Sequence, residues 1–161
     1  MDDQTLSSKE TFSEIEHGHD AYTDEELLEQ SQFNAQALLM ASVSSLEAMQ
    51  VDVSEWAKGV AGVFARSWDT ERQWEPAELL DALLTNYRSF GANVIEADLS
   101  GTPATALVAD LPDLEMAEAL GAGDEQANAV FMIGEHLAST LGRTLTWTRD
   151  PETGDVSLQV S

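Results

Sequence analysis

Apolar residues recur every third or fourth position from Thr23 to Phe90 and every second position in segments after that. This change of period predicts helices in front and strands toward the back. Thr23-Asp24-Glu25-Glu26 matches a capping box, in which the threonine oxygen receives an early backbone N–H and Glu26 reaches back to the cap. A first helix over about 23–50 follows, with Leu27, Leu28, Ala35, Leu38, Leu39, Ser42, Val43, Leu46 and Met49 forming its apolar stripe. A second helix over 52–68 carries Val53, Trp56, Ala57, Val60 and Phe64 on one face, with Trp68 at its end. Gly59 and Gly62 within it lower helix propensity, which fits either a second backbone approaching closely or two tolerated glycines. Residues 67–74 break the pattern as a loop. A third helix, 75–90, then opens with Pro76 in its first turn, buries Leu79, Leu80, Leu83, Leu84, Tyr87 and Phe90, and stops at Gly91.

Beyond Asn93 the alternation is that of half-buried strands. Ile95, Ala97 and Leu99 alternate with Glu96 and Asp98, Ser100-Gly101-Thr102-Pro103 supplies a turn, and Ala104 to Asp110 returns. A short helix is expected at Leu114 to Leu120 and a longer one over 124–141, where Gly142 ends it. Leu145 and Trp147, then Val156, Leu158 and Val160, define a second hairpin around Asp150-Pro151-Glu152-Thr153-Gly154. The expected class is α+β, with N-terminal helices packed on a four-stranded antiparallel sheet built from two hairpins, 93–110 and 144–160, separated by a helix. Parallel pairing of the outer strands leaves the same pattern. Residues 1–22 are polar, acidic and aperiodic and read as a disordered tail, and 23–161 as a single domain.

Composition narrows the function classes. Thirty acidic residues against seven lysines and arginines give a formal charge of -23, which argues against direct nucleic-acid binding, since that needs clustered cations. The acids are scattered, so general solubility or salt adaptation is the first reading of the charge. A negative face for a basic protein partner is the second. The absence of cysteine removes disulfides, thiolate chemistry and cysteine-ligated metals. No apolar run is long enough for a bilayer, and the start Met1-Asp2-Asp3-Gln4 is acidic where a secretory signal is basic, so no membrane and a cytoplasmic location are expected.

Reaction machinery is sparse. No phosphate-cradling glycine loop, nucleophile elbow or paired metal-binding histidines on a helix occurs. His17 and His19 fit a metal less well than they fit an exposed tail. Gly121-Ala122-Gly123 precedes a helix, but Asp124 and Glu125 would repel an anion, which leaves a capping role. His136 reads as a rim histidine, because no nucleophile accompanies it. No catalytic residue, metal or cofactor is therefore expected. Aromatic side chains are the remaining candidates, because they bury large areas and are enriched at pockets and interfaces. Trp56 and Trp147 fall on buried stripes, and Trp68 and Trp74 flank a charged loop. A pocket involving Trp68, Trp74, Tyr87, Phe131, His136 and Trp147 is expected between the second and fourth helices and the sheet.

Leu84-Thr85-Asn86-Tyr87-Arg88-Ser89-Phe90-Gly91 leads into a hairpin. Phe131-Met132-Ile133-Gly134-Glu135-His136-Leu137 lies on a helix that ends at Leu141-Gly142-Arg143 before the closing hairpin. In these features residues 77–160 resemble the small-molecule-binding domain of the 4-vinyl reductase type. The resemblance implies helices over a sheet enclosing a hydrophobic or aromatic ligand, often in a sensor, and a tendency to dimerise. That family's closing hairpin usually carries cysteines and this chain has none, so the resemblance implies a pocket without redox or metal chemistry. The expected function is a non-catalytic small-molecule-binding or regulatory module, as a homodimer, holding an apolar or aromatic ligand. The alternative is an acidic protein-interaction module, such as an adaptor, chaperone, immunity protein or nucleic-acid mimic, that binds a basic partner. An enzyme using carboxylates and a histidine ranks last.

Overall fold

A computed structural model describes residues 22–161, so the expected tail over 1–22, with its two histidines, lies almost wholly outside the described residues. Helix α1 (Asp24–Ala48) begins on the expected capping box: Glu26 N donates to Thr23 Oγ1 at 3.2 Å, and Thr23 N donates to Glu26 Oε2 at 2.8 Å. These hydrogen bonds, the backbone one first, hold the Glu26 carboxyl below its ordinary pKa. Helix α2 (Val53–Phe64) is capped by Asp52, whose Oδ1 accepts from Glu55 N at 2.9 Å, and ends in a 3₁₀ turn, Ala65–Ser67. Helix α3 (Pro76–Ser89) follows a loop. Strands β1 (Asn93–Asp98) and β2 (Ala104–Ala109) form the first hairpin. Three helices, α4 (Leu114–Ala119), α5 (Asp124–Ala127) and α6 (Ala129–Thr140), precede β3 (Leu145–Arg149) and β4 (Val156–Val160).

The architecture is α+β, with a four-stranded antiparallel sheet in the order β1-β2-β4-β3. The two hairpins join through their second strands, β2 and β4, with Ala106 opposite Leu158 and Ala104 opposite Val160. Every neighbouring pair is antiparallel, which removes the parallel alternative for the outer strands. One face of the sheet turns Ala104, Ala106, Val108, Leu145, Val156, Leu158 and Val160 into the main core, under α3 and α6. The other face presents Thr105, Thr146, Thr148, Ser157 and Gln159 to solvent, an alternation usual for antiparallel sheets. Helix α2 lies against α6 through Ala57 and Ala61, whose small side chains bring the two axes close. A second buried cluster joins Met40, Val43 and Leu46 of α1 to Val53, Ala117, Ala127 and Ala129.

Three expectations change. On β1 it is Val94, and not Ile95, that shares the core-side face with Ala97. A bulge between Val94 and Glu96 sets Val94 opposite Val108 and Ala97 opposite Ala106, leaving Ile95 51% exposed. The extra residue shifts the facing of the strand by one position. The helix expected over 124–141 is two, α5 and α6, separated at Asn128. There Asn128 Nδ2 donates back to Asp124 O at 2.8 Å, and its Oδ1 accepts from Arg149 Nε at 2.8 Å, so one local and one distant bond hold the side chain where the helix is interrupted. The second helix stops short of Trp68, whose backbone is extended.

The placement of α1 depends on two glutamines. At the end of α3, Gly91 adopts φ +89°, Ala92 N donates to Tyr87 O and Gly91 N to Arg88 O, which turns the chain. Gln32 Nε2 donates to Arg88 O at 2.9 Å. Gln36, 5% exposed, donates from Nε2 to Phe90 O at 2.6 Å and Asp110 O at 3.0 Å, and its Oε1 accepts from Asp113 N at 2.8 Å. One amide thus ties α1 to the ends of α3 and β2 and to the N-cap of α4. Gln36→Met keeps the length of the side chain but strands three backbone groups, so it is expected to cost about 3 kcal/mol in urea unfolding, because each buried unpaired group costs roughly 1–3 kcal/mol.

Candidate functional site

Against the polar outer face of the sheet lies a groove of about 390 Å³, around Thr105, Leu107, Thr146 and Gln159. The substantial cavity lies on the helical side. It has a volume of about 500 Å³ and is enclosed by α1, α2, α3 and α6 together with Ser67 and Trp68 after α2. Its floor is Leu83 and Tyr87 of α3 and Val130, Ile133, Gly134 and Leu137 of α6, all buried. Its walls are Leu39, Trp56, Val60, Trp68 and Phe90, all half-buried. The mouth is bounded by Leu38, Ser42, Phe64, Ser67 and Asn86, where Leu38 is 70% exposed.

Nearly the whole lining is apolar and none of it carries a formal charge. The polar side chains at the mouth hydrogen-bond to their own segments: Ser42 Oγ donates to Leu38 O at 2.6 Å, Ser67 Oγ to Phe64 O at 2.8 Å, and Asn86 Nδ2 to Ala82 O at 3.1 Å. Tyr87 differs. It is 3% exposed, and among the described residues its hydroxyl is the one buried side-chain polar atom with no hydrogen-bond partner. Burial pushes the phenol pKa well above its ordinary value, so the group stays a protonated donor. The ring packs edge-on against Phe131, with centroids 5.3 Å apart.

Gly134 makes room for that hydroxyl. A Cβ built on Gly134 would stand 2.3 Å from Tyr87 Oη and 3.2 Å from Leu145 Cδ2. The close approach therefore occurs at this helical glycine, whereas Gly59 and Gly62 of α2 face open space and are simply tolerated.

Of the six residues singled out in the sequence, Trp68 and Tyr87 line the cavity and the other four lie outside it. Trp74 packs against Trp68, with centroids 5.3 Å apart. It donates from Nε1 to Asp69 O at 2.9 Å and lies under the Arg72 guanidinium at 4.5 Å, so the loop braces the Trp68 wall. The backbone carbonyl of Trp74 also accepts from Arg143 Nε. Phe131 is fully buried between Tyr87 and Trp147, and Trp147 donates from Nε1 to Glu135 Oε2 at 3.3 Å. His136 is half-buried on α6 away from the lining.

The sheet contributes no residue to the cavity, contrary to the expected pocket between helices and sheet. Large side chains such as Phe131, Leu145 and Leu158 fill the space between α6 and the strands. Leu38 and Leu39 of α1, Val60 of α2 and Gly134 were missed as site residues. The signal for the first two was available: adjacent leucines point about 100° apart on a helix, so the apolar arc of α1 is wider than a single packing face needs.

Among the described residues no cluster of three or more histidines or carboxylates could hold a metal, and no helix is long and apolar enough to cross a membrane. Comparison with protein-family models, with curated proteins and with solved structures found no match to this chain.

A double-mutant cycle reads the Tyr87–Gly134 contact. Gly134→Ala in the wild-type background is expected to cost about 1–3 kcal/mol by overpacking. In a Tyr87→Phe background, where the nearest remaining atoms are Leu145 Cδ2 at 3.2 Å and the ring carbon Cζ at 3.6 Å, the same change costs at least about 1 kcal/mol less in urea unfolding. Equal costs in both backgrounds would place the hydroxyl elsewhere.

Proposed function

We propose that the protein is a non-catalytic binding module that takes up an apolar or aromatic small molecule between α1, α2, α3 and α6. The observation carrying this reading is the cavity of about 500 Å³, lined almost wholly by carbon and fitted with two indoles, Trp56 and Trp68. Drug-sized ligands occupy clefts of roughly 300–1,000 Å³ in which apolar lining gives affinity and a few polar groups give orientation. The likeness of residues 77–160 to the 4-vinyl reductase type domain belongs to this reading, with the ligand site proposed on the helical side. Pairing of two copies, as that likeness implies, belongs to the same proposal, and native mass spectrometry reads subunit number and any retained ligand together.

The charge of -23 favours a second reading, in which the surface engages a basic protein. The two readings separate by salt, since binding of a neutral ligand in a cavity is nearly indifferent to ionic strength while pairing with a basic partner weakens steeply.

Naphthalene is expected to raise the melting temperature in proportion to the logarithm of its concentration above Kd. Val60→Trp places an indole from the wall of α2 into the hollow. It is expected to leave the far-ultraviolet circular dichroism unchanged while abolishing the naphthalene shift. A shift of equal size in this variant would move the binding site away from the cavity.

A further inference from the structure

Deepening the pairing of two copies proposed above, and resting on that part of the reading, we infer that two chains meet through α1, laid antiparallel along the line of Leu27, Leu38 and Met49 with the two Leu38 side chains at the centre. These positions stand eleven residues apart, which is three turns with a drift of only about 20°, so they form one nearly straight line. They are 49%, 70% and 64% exposed. The line lies on the side of α1 turned away from Met40 and Val43, whose burial fixes the helix to its own chain. Ser31, Ser42 and Ser45 stand along it, and each hydroxyl already donates to a carbonyl of α1, so covering them strands no donor. Every residue from Tyr22 to Ser31 is exposed, and two turns of helix standing alone are marginal in water, so this end gains most from a partner.

Charge selects the occupant. Charged residues make up 23% of the chain, yet residues 30–46 contain none. Chains of net charge -23 repel each other, and an uncharged face is where a second copy approaches against the least repulsion. A basic partner would need carboxylates that this stretch lacks. A single small molecule cannot cover a line that runs about 33 Å along the helix. The acids of the first turns, Asp24, Glu25, Glu26 and Glu29, set the direction, because parallel helices would gather both groups at one end while antiparallel helices hold them apart. Leu38 is the midpoint between Leu27 and Met49, so reversal of the second copy brings Leu38 onto Leu38 and Leu27 onto Met49, the self-match that a two-fold pair requires. Leu38 and Ser42 also bound the cavity mouth, so the second copy lies over it.

The chain has no cysteine, so single-cysteine variants report on the interface without background. With the short crosslinker bismaleimidoethane, Leu38→Cys is expected to give a covalent dimer. Leu27→Cys alone should give none, and a mixture of Leu27→Cys with Met49→Cys should give one. Linking of Leu27→Cys to itself would overturn the antiparallel arrangement. In sedimentation equilibrium Leu38→Glu is expected to weaken self-association at least about a hundredfold, since it brings two like charges together at the centre, with the far-ultraviolet circular dichroism unchanged because Leu38 is exposed in the single chain. Leu38→Lys, which lowers the net negative charge, should weaken it as well, while Ile95→Glu on the exposed side of β1 leaves it within about twofold. Added salt should tighten the pairing by screening the repulsion between copies. A dimer that survives both Leu38 substitutions, or that Ile95→Glu breaks instead, would overturn the α1 interface. A wild-type chain that stays monomeric at about 100 μM would overturn the pairing altogether. The naphthalene shift, measured separately, tells a failure of the cavity reading apart from a failure of this one.

Discussion

A single buried amide holds the helical side of this protein in place. Gln36 carries both a donor and an acceptor at the end of a side chain long enough to reach past the surface of α1, and it meets two carbonyls and one N–H arriving from three separate segments. Those backbone groups belong to chain ends, where α3 and β2 stop and α4 starts, and such ends cannot satisfy themselves. The bonds set where α1 crosses the body of the protein. Gln32, one turn earlier, adds a bond to Arg88 O and keeps the crossing in register.

The cavity follows from that crossing. Helices α2 and α6 approach closely through the alanines of α2, and α3 passes beneath α6 with Tyr87 lodged against Gly134. The larger side chains of α2, Trp56, Val60 and Phe64, then stand around the hollow without filling it, and α1 supplies the remaining wall through Leu38 and Leu39. A similar bracing sits beside it at the same end of the sheet. The guanidinium of Arg149 donates to Asn128, Gly154 and Leu111, three positions far apart in the chain, and so fastens the start of α6 to the last hairpin. With α6 held at both faces, the space between it and the strands is packed solid, and the unfilled volume is left on the helical side.

Much of the fold could be read from local chemistry. The capping box at Thr23, proline at the first turn of α3, glycine after α3 and α6, and the alternation in β2, β3 and β4 all act within a few residues, and each appears where the local pattern places it. The failures share a cause. The bulge at Ile95, the break at Asn128 and the exposure of Leu27 and Leu28 on α1 depend on partners distant in the chain: the register against β2, the reach of Arg149, and the point at which α1 extends past the body. Periodicity describes one element and is silent about which part of an apolar face another element covers.

The candidate site divides the same way. Aromatic residues near helix ends could be singled out by their chemistry, but only packing decides which of them face a void. Trp68 and Tyr87 line it, whereas Phe131 and Trp147 serve as filling. The sequence by itself determined the class of the fold, the elements and their order, the exclusion of thiol chemistry and the poverty of cations, because these rest on residue type and on spacing along a few turns. The tertiary structure alone decided that the hollow lies among the helices, that Gly134 matters where Gly59 and Gly62 do not, and that the Tyr87 hydroxyl has no partner. Whether a side chain is satisfied, and whether space beside it is filled, is settled by atoms brought together from distant parts of the chain.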